Sequence, residues 1–357
     1  MSIGSLSKYL RAKETGLIAV ILVLGAVLAL FGGKVKVRER DRETGRVIGE
    51  RYVNTFLQPA NLDNIIKSSS WTAVMAVGAT VLIISGGIDL SVGAIYCLAA
   101  VSGAMLLRWL GPGPDLTGDS PAWAVPLGIV VTLAVGTLCG GLNGLMVVLL
   151  KVHPFIITLG TMSIFRGIAF VTTQAQSVTD FPASFGEVVR YTMGDFTAVP
   201  IAIVALVVLA GHVYLKHTVS GRHVYAVGGN EEASRFSGLR ISRIKLSVFA
   251  LAGLTGGVAA VIALGTFGAA DSSTGKGYEL DVIAAAVVGG ASLTGGRGTA
   301  LGAVLGALVI QLIANGIVIL GIDQNYTEII KGAVIIVAVV LDRFSASLSE
   351  RRLMRQA

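Results

Sequence analysis

Long apolar runs separated by short polar stretches dominate the chain. A membrane-crossing helix needs about 20 mostly apolar residues. Runs of that kind lie at 17–33, 71–87, 88–110, 122–150, 154–173, 198–215, 246–266, 280–296, 299–320 and 326–341. The pattern predicts an all-α fold, a polytopic membrane helical bundle of about ten spans. The second and third runs nearly touch at Ser85-Gly86-Gly87-Ile88-Asp89-Leu90-Ser91, which reads as a broken helix near 85–91, and the eighth is short and cut by glycine. Residues 1–16 form an N-terminal segment, 17–341 a single membrane domain and 342–357 a tail. Lys8, Arg11 and Lys13 ahead of the first run could belong to a signal peptide. No small-x-small cleavage site follows and many more spans do, so an uncleaved first helix is expected.

Lys and Arg near span ends set orientation. With the N-terminus inside, Lys151, Lys216, Arg222, Arg235, Arg240, Arg243, Lys245 and Arg297 all fall inside, and Arg108, Arg190 and Lys276 fall outside. Both termini are then cytoplasmic, 34–70 is an extracytoplasmic loop and 216–245 a cytoplasmic one. The segment 34–70 departs from the rule. Eight basic residues from Lys34 to Lys67 are partly offset by Glu39, Asp41, Glu43, Glu50 and Asp63. Thr44-Gly45 between its charged arms predicts a small hairpin.

Composition agrees with the membrane reading. Hydrophobic residues make up 54% and charged residues 14%, against roughly 25% charged in soluble domains. Gly136, Gly140 and Gly144, and again Gly298, Gly302 and Gly306, repeat every four residues, a spacing that lets membrane helices pack closely. The net charge of +7 sits at the ends of apolar runs, which argues against a nucleic-acid partner. Cys97 and Cys139 lie inside apolar runs and read as small buried hydrophobes.

Catalytic chemistry is missing from the pattern. A P-loop needs Gly-x-x-x-x-Gly-Lys-Ser/Thr. The nearest candidate, Gly275-Lys276-Gly277, has Ala270 where the first Gly belongs and Gly277 after the Lys. The four His form no metal-ligand spacing. The chain is therefore expected to be no enzyme, to hold no cofactor or metal and to hydrolyse no ATP by itself.

Polar groups at membrane depth are functional candidates because their burial is costly. Asp89 and Ser91 sit at the helix break, where Asp89 either lines a solute path or caps the following helix through backbone donors at 91 or 92. Arg166, near the middle of its run, must meet a carbonyl, an acid or water. Asn143, Gln311 and Asn315 either hydrogen-bond a solute or tie helices together. Glu328 and Lys331 suit a local ion pair. Trp71, Trp109 and Trp123 lie near span ends, where interfacial anchoring explains them. In the loop 216–245, Asn230 is a fair N-cap, Glu231 and Glu232 suit a helix start, and Gly238 a stop. The loop should hold one short helix, serving either as a docking element or as a charged connector.

That loop also carries a resemblance. Glu232-Ala233-Ser234 with Gly238 resembles the Glu-Ala-Ala…Gly loop of ABC-importer permeases. Ser85 to Gly93, Pro154 to Met162 with Arg166-Gly167, Val288 to Gly298, and Asn61-Leu62-Asp63-Asn64-Ile65 are similar to the ribose/xylose-type branch of that superfamily, over roughly residues 53–343. The resemblance implies a homodimeric inner-membrane channel. It implies a cytoplasmic ATPase subunit that hydrolyses the ATP, and a periplasmic protein that delivers a monosaccharide. Asn230, Glu231, Glu232, Ala233 and Gly238 would form the coupling helix. Asp89, Ser91, Asn143, Arg166 and Asn315 are the candidates for the path or its gate. Branched-chain amino acids or nucleosides are alternative cargo. A proton- or sodium-coupled secondary transporter is the alternative from another class; it should show titratable acids in the membrane core within a repeat of broken helices. The charged segment 34–51 has no role in the resemblance.

Overall fold

The computed structural model describes residues 3–40, 47–111, 121–180, 182–334, 336, 337 and 340. Among them, eight helices are long and apolar enough to cross a membrane. They are α1 (Ile3–Phe31), α2 (Pro59–Ile84), α3 (Val92–Leu110), α4 (Ala124–Leu150), α5 (Pro154–Thr173), α7 (Ala198–His217), α10 (Ile241–Phe267) and α12 (Ala300–Ile319). Four shorter helices join them: α6 (Ala183–Val189), α8 (Val219–Gly229), α9 (Glu231–Phe236) and α11 (Tyr278–Val288).

Several boundaries differ from the hydropathy pattern. The second span starts at Pro59, not 71, because Pro suits the first turn and the polar residues after it have partners: Asn61 bonds to Asn315, and the buried Asp63 to Thr197 and Lys67. The third starts at Val92, after the break. The eighth is no span: α11 has 11 residues, about 16 Å at 1.5 Å per residue, half of the ~30 Å apolar layer. The tenth run is helical over 327–334 and lies partly outside the described residues.

Glycine sets the packing. A Cβ on Gly136 would stand 2.6 Å from the Gly253 carbonyl oxygen, and one on Gly144 3.1 Å from the Leu246 Cα, so α4 and α10 touch backbone to backbone. The second stripe is shorter than the spacing suggests. Gly302 and Gly306 of α12 press on Gly289 and Ala285, whereas Gly298 lies in the loop before α12 with φ 153°. Helices α2, α3 and α10 are mostly buried; α1, α4, α5 and α7 bury less than a third of their most apolar stretch. Trp71 is an interior residue, not an interfacial one: it is buried in α2 with its ring 5.4 Å from Phe267. Trp109 and Trp123 are exposed, and both cysteines are buried and free.

The hairpin expected after the first span is present. Strand β1 (Lys34–Arg40) pairs antiparallel with β2 (Val47–Asn54), Lys34 opposite Asn54, with a bulge at Glu39/Arg40; Thr44-Gly45 lies outside the described residues. A second, two-residue pair joins β3 (Thr192–Met193) to β4 (Phe196–Thr197).

Candidate functional site: a capped helix pair joined to a broken helix

The 216–245 loop holds two helices rather than one. Thr218 caps α8, its hydroxyl accepting from the Gly221 amide at 3.0 Å. Glycines at 221, 228 and 229 hide α8 from sequence reasoning, since each weakens a helix by about 1 kcal/mol against Ala. Two of them, Gly221 and Gly228, are required by contact. A Cβ on Gly221 would strike α7 at Leu215 and Tyr214, and one on Gly228 would strike the Ile84 carbonyl and come within 2.8 Å of the Gly296 amide.

Helix α9 follows as the sequence predicts. Asn230 is extended, and its side-chain oxygen accepts from the Ala233 amide at 2.9 Å. Glu231 and Glu232 occupy the first turn, where the peptide dipole favours acids. Glu231 pairs with Lys245 at 2.8 Å and with Arg235 at 3.3 Å, which ties α9 to α10. Gly238 ends the helix at φ 82°, with the Leu239 amide bonded back to the Ser234 carbonyl at 3.1 Å. Glu232, Ala233 and Phe236 face solvent, and Phe236 is 86% exposed. Phe236 was not legible beforehand, since an aromatic in an amphipathic turn ordinarily points inward.

Behind this end lies the break between α2 and α3. The Ile84 carbonyl, left free by the end of α2, accepts from the Gly296 amide at 2.8 Å while Gly228 presses on it. Tyr225 of α8 donates its hydroxyl to the Gly298 carbonyl at 2.7 Å; burial pushes that phenol up to about 12, so it stays a donor. Three segments thus meet at one point: the α8–α9 link, the end of α2 and the glycine loop 289–298. A cavity of about 270 Å³ opens beside them, bordered by Ser85, Pro154, Gly228 and Glu231.

The break itself is stitched to two helices. Asp89 accepts from the Ser91 amide at 2.7 Å and the Ser91 hydroxyl at 2.6 Å, as a cap would. Asn143 of α4 donates to the Ser91 hydroxyl at 2.7 Å and more weakly to Asp89 at 3.4 Å. Thr158 of α5 accepts from the Leu90 amide at 3.1 Å. Asp89, Ser91 and Asn143 therefore form one buried cluster.

The other two candidates lie elsewhere. Arg166 donates to the carbonyls of Ser272, Thr274 and Gly275 at 3.2, 2.7 and 3.3 Å. The turn it holds is braced by Asp271, which accepts from the Ser273 hydroxyl and amide; those bonds hold the Asp271 carboxyl below its usual range. Asn315 of α12 exchanges hydrogen bonds with Asn61 of α2 at 2.8 and 3.3 Å, so it joins helices. Lys331 pairs with Glu328 at 3.5 Å but more closely with Asp281 at 2.9 Å, which had no predicted part.

Known proteins extend the geometry. Residues 61–339 match the family described as branched-chain amino acid transport system / permease component. The ribose import permease protein RbsC of Bacillus subtilis is 38% identical over 81% of this chain and 86% of its own length. The galactose/methyl galactoside import permease protein MglC of Escherichia coli K12 is 36% identical, over 81% and 88%. The D-allose transport system permease protein AlsC of the same organism is 36% identical, over 83% and 87%. No solved structure matches. A family match across most of the chain, joined to eight membrane-length helices, makes this a multi-pass membrane protein that belongs to the branched-chain amino acid transport system / permease component family.

Proposed function

We propose that the chain is the membrane-spanning permease subunit of an ATP-binding cassette importer, and that it passes a monosaccharide of the ribose, galactose or allose kind. The observation that carries this reading is the three-way contact of Gly228, Ile84 and Gly296. An exposed, capped helix pair is of little use to a passive channel. Here it is joined, backbone to backbone, to the end of a broken membrane helix.

In this reading α9 seats in a cytoplasmic ATPase subunit, with Phe236 as its apolar contact and Glu232 and Ala233 on the same exposed surface. Closure of the ATPase pair moves α8 and α9. The Gly228 contact passes that movement to Ile84 and the glycine loop, and so to the break that carries Asp89. The bundle switches between two packings because docking stabilises one of them more than the other. Asp89, Ser91 and Asn143 hold the hinge side of the path; Arg166 and Asn315 brace the walls. A second copy completes the channel, and a soluble protein outside delivers the sugar. The path is weakly polar, which suits release, since tight binding inside a channel slows transit.

Uptake tests the proposal. Cells with and without the gene are given labelled ribose, xylose, arabinose, galactose, leucine and a nucleoside, with ATP depletion and a protonophore as separate arms. Gene-dependent sugar uptake should fall with ATP and survive the protonophore. Uptake that collapses with the protonophore while ATP is maintained would instead make this a proton-coupled transporter with Asp89 as its titrating acid.

A further inference from the structure

The docking end holds a second opening, which shares Glu231 and Arg235 with α9. It is a groove of about 940 Å³ between the end of α4, the start of α5 and the α9–α10 turn. Lys151, Arg235, Arg240, Arg243 and Lys245 border it, with Glu231 as the acid among them. Glu231 is already engaged by Lys245 and Arg235. Among the described residues, Lys151, Arg240 and Arg243 have no carboxylate within ion-pair distance.

Helix stability does not account for this charge. The first turn of α10 carries no acid, and cations there oppose the peptide dipole. Val147, Val148, Val152 and Leu239 add aliphatic surface to the groove's lining. Away from its mouth, Leu145 and Leu149 of α4 and Phe155, Ile156 and Leu159 of α5 are exposed. Unpaired cations thus stand at the end of an uncovered apolar strip, at the level where membrane helices begin and end.

We propose that this groove binds the headgroup of an anionic phospholipid, whose acyl chains lie along the exposed faces of α4 and α5. Charge complementarity assigns the headgroup to Lys151, Arg240 and Arg243. The apolar strip selects a lipid over an acidic protein segment, which would match the charges and leave the strip bare. A lipid seated there also contacts the α9–α10 turn, so headgroup charge becomes an input to the docking end. Binding itself depends neither on the cargo nor on the ATPase.

The test uses the purified full chain in neutral detergent, with melting temperature and native mass spectrometry as readouts. Dioleoyl phosphatidylglycerol, dioleoyl phosphatidylcholine and inorganic phosphate are titrated separately. Phosphatidylglycerol should bind more than tenfold tighter than phosphatidylcholine. The combined variant Lys151→Asn, Arg240→Gln, Arg243→Gln should bring that preference close to one, since each basic residue contributes about 1 kcal/mol, roughly fivefold. Asn suits position 151, where φ is 55°. A second variant, Arg108→Gln with Lys276→Gln, alters cations remote from the groove and should keep the preference. Equal binding of the two lipids, or a preference that survives the groove variant, would overturn the proposal. So would stabilisation by inorganic phosphate equal to that by phosphatidylglycerol, which would mark a free-anion site. Loss of a co-expressed ATPase from the groove variant with lipid binding intact would give the groove to the protein partner instead.

Discussion

Arg166 shows what a single charged residue inside this bundle is for. Its three carbonyl partners lie between α10 and α11, more than 100 residues along the chain. The sequence stated the need for partners, not their identity, because carbonyls are present at every position and leave no mark in a pattern. The same holds for Asn61 with Asn315, 254 residues apart. Asp89 was more legible, since a cap acts on its own neighbours and Ser91 is two residues away. Replacing Arg166 by Ala removes three hydrogen bonds; the Ser272 carbonyl keeps Cys97 and the Gly275 carbonyl keeps the Tyr278 amide, but the Thr274 carbonyl loses its 2.7 Å donor, at about 1–3 kcal/mol for the group left unsatisfied. The expected outcome is a several-fold drop in folded yield, read by size-exclusion chromatography in detergent; full yield with lost uptake would move Arg166 into the sugar path. Asp271 gives a prediction in pH. Its folded carboxyl lies below its usual range, so its contribution to stability is present above the unfolded value of about 3.9 and is lost as pH falls through the folded value. The melting temperature of wild type should exceed that of Asp271→Ala at pH 7, and the gap should narrow as the pH is taken below about 4.

At the scale of elements, periodicity and caps were readable where an element is decided locally. Helix α5 begins and ends where its apolar run does, and α9 starts at Asn230 and stops before Gly238 as its capping residues require. Helix α8 is not readable from the sequence, because Gly221 serves a contact with α7 and Gly228 contacts with α2 and the 289–298 loop, rather than helix propensity. Hydropathy predicts a span at α11 because the apolar run continues into a glycine loop that turns back toward α12. Two substitutions separate docking from transmission. A Cβ at position 238 meets no atoms within 4 Å, but Gly238→Arg must adopt φ near 82°, at about 1–2 kcal/mol. The protein should still reach the membrane, while sugar uptake falls at least tenfold and ATP hydrolysis by the assembled complex no longer responds to sugar. Tyr225→Phe keeps the ring and removes the bond to Gly298, worth about 1 kcal/mol. The ATPase should remain bound, with uptake reduced a few-fold; unchanged uptake would show that Gly228 alone carries the link.

For the whole molecule, α2 acts as a ruler. It runs 26 residues, about 39 Å at 1.5 Å per residue, from Pro59 beside the β1–β2 hairpin to Ile84 beside Gly228. The hairpin and the docking helices therefore stand at opposite ends of the bundle, and only one can face the cytoplasm. The charge rule pulls both ways, because the docking end and the segment 34–70 are each rich in Lys and Arg. The docking end has the stronger claim, since its cations are opposed by fewer acids and since, in the proposed function, its helix pair seats a nucleotide-fed partner that exists only inside. Thiol labelling decides it with little background, because Cys97 and Cys139 are both buried. Tyr52 and Phe236 are 69% and 86% exposed at the two ends, so Tyr52→Cys and Phe236→Cys should be reachable without disturbing the core. In right-side-out spheroplasts a membrane-impermeant maleimide should label position 52 and spare 236. Inverted vesicles should give the reverse. If position 236 reacts from outside, the basic hairpin has set the topology, and α9 cannot be the seat of an ATPase however well its caps and its link to Ile84 suit that role.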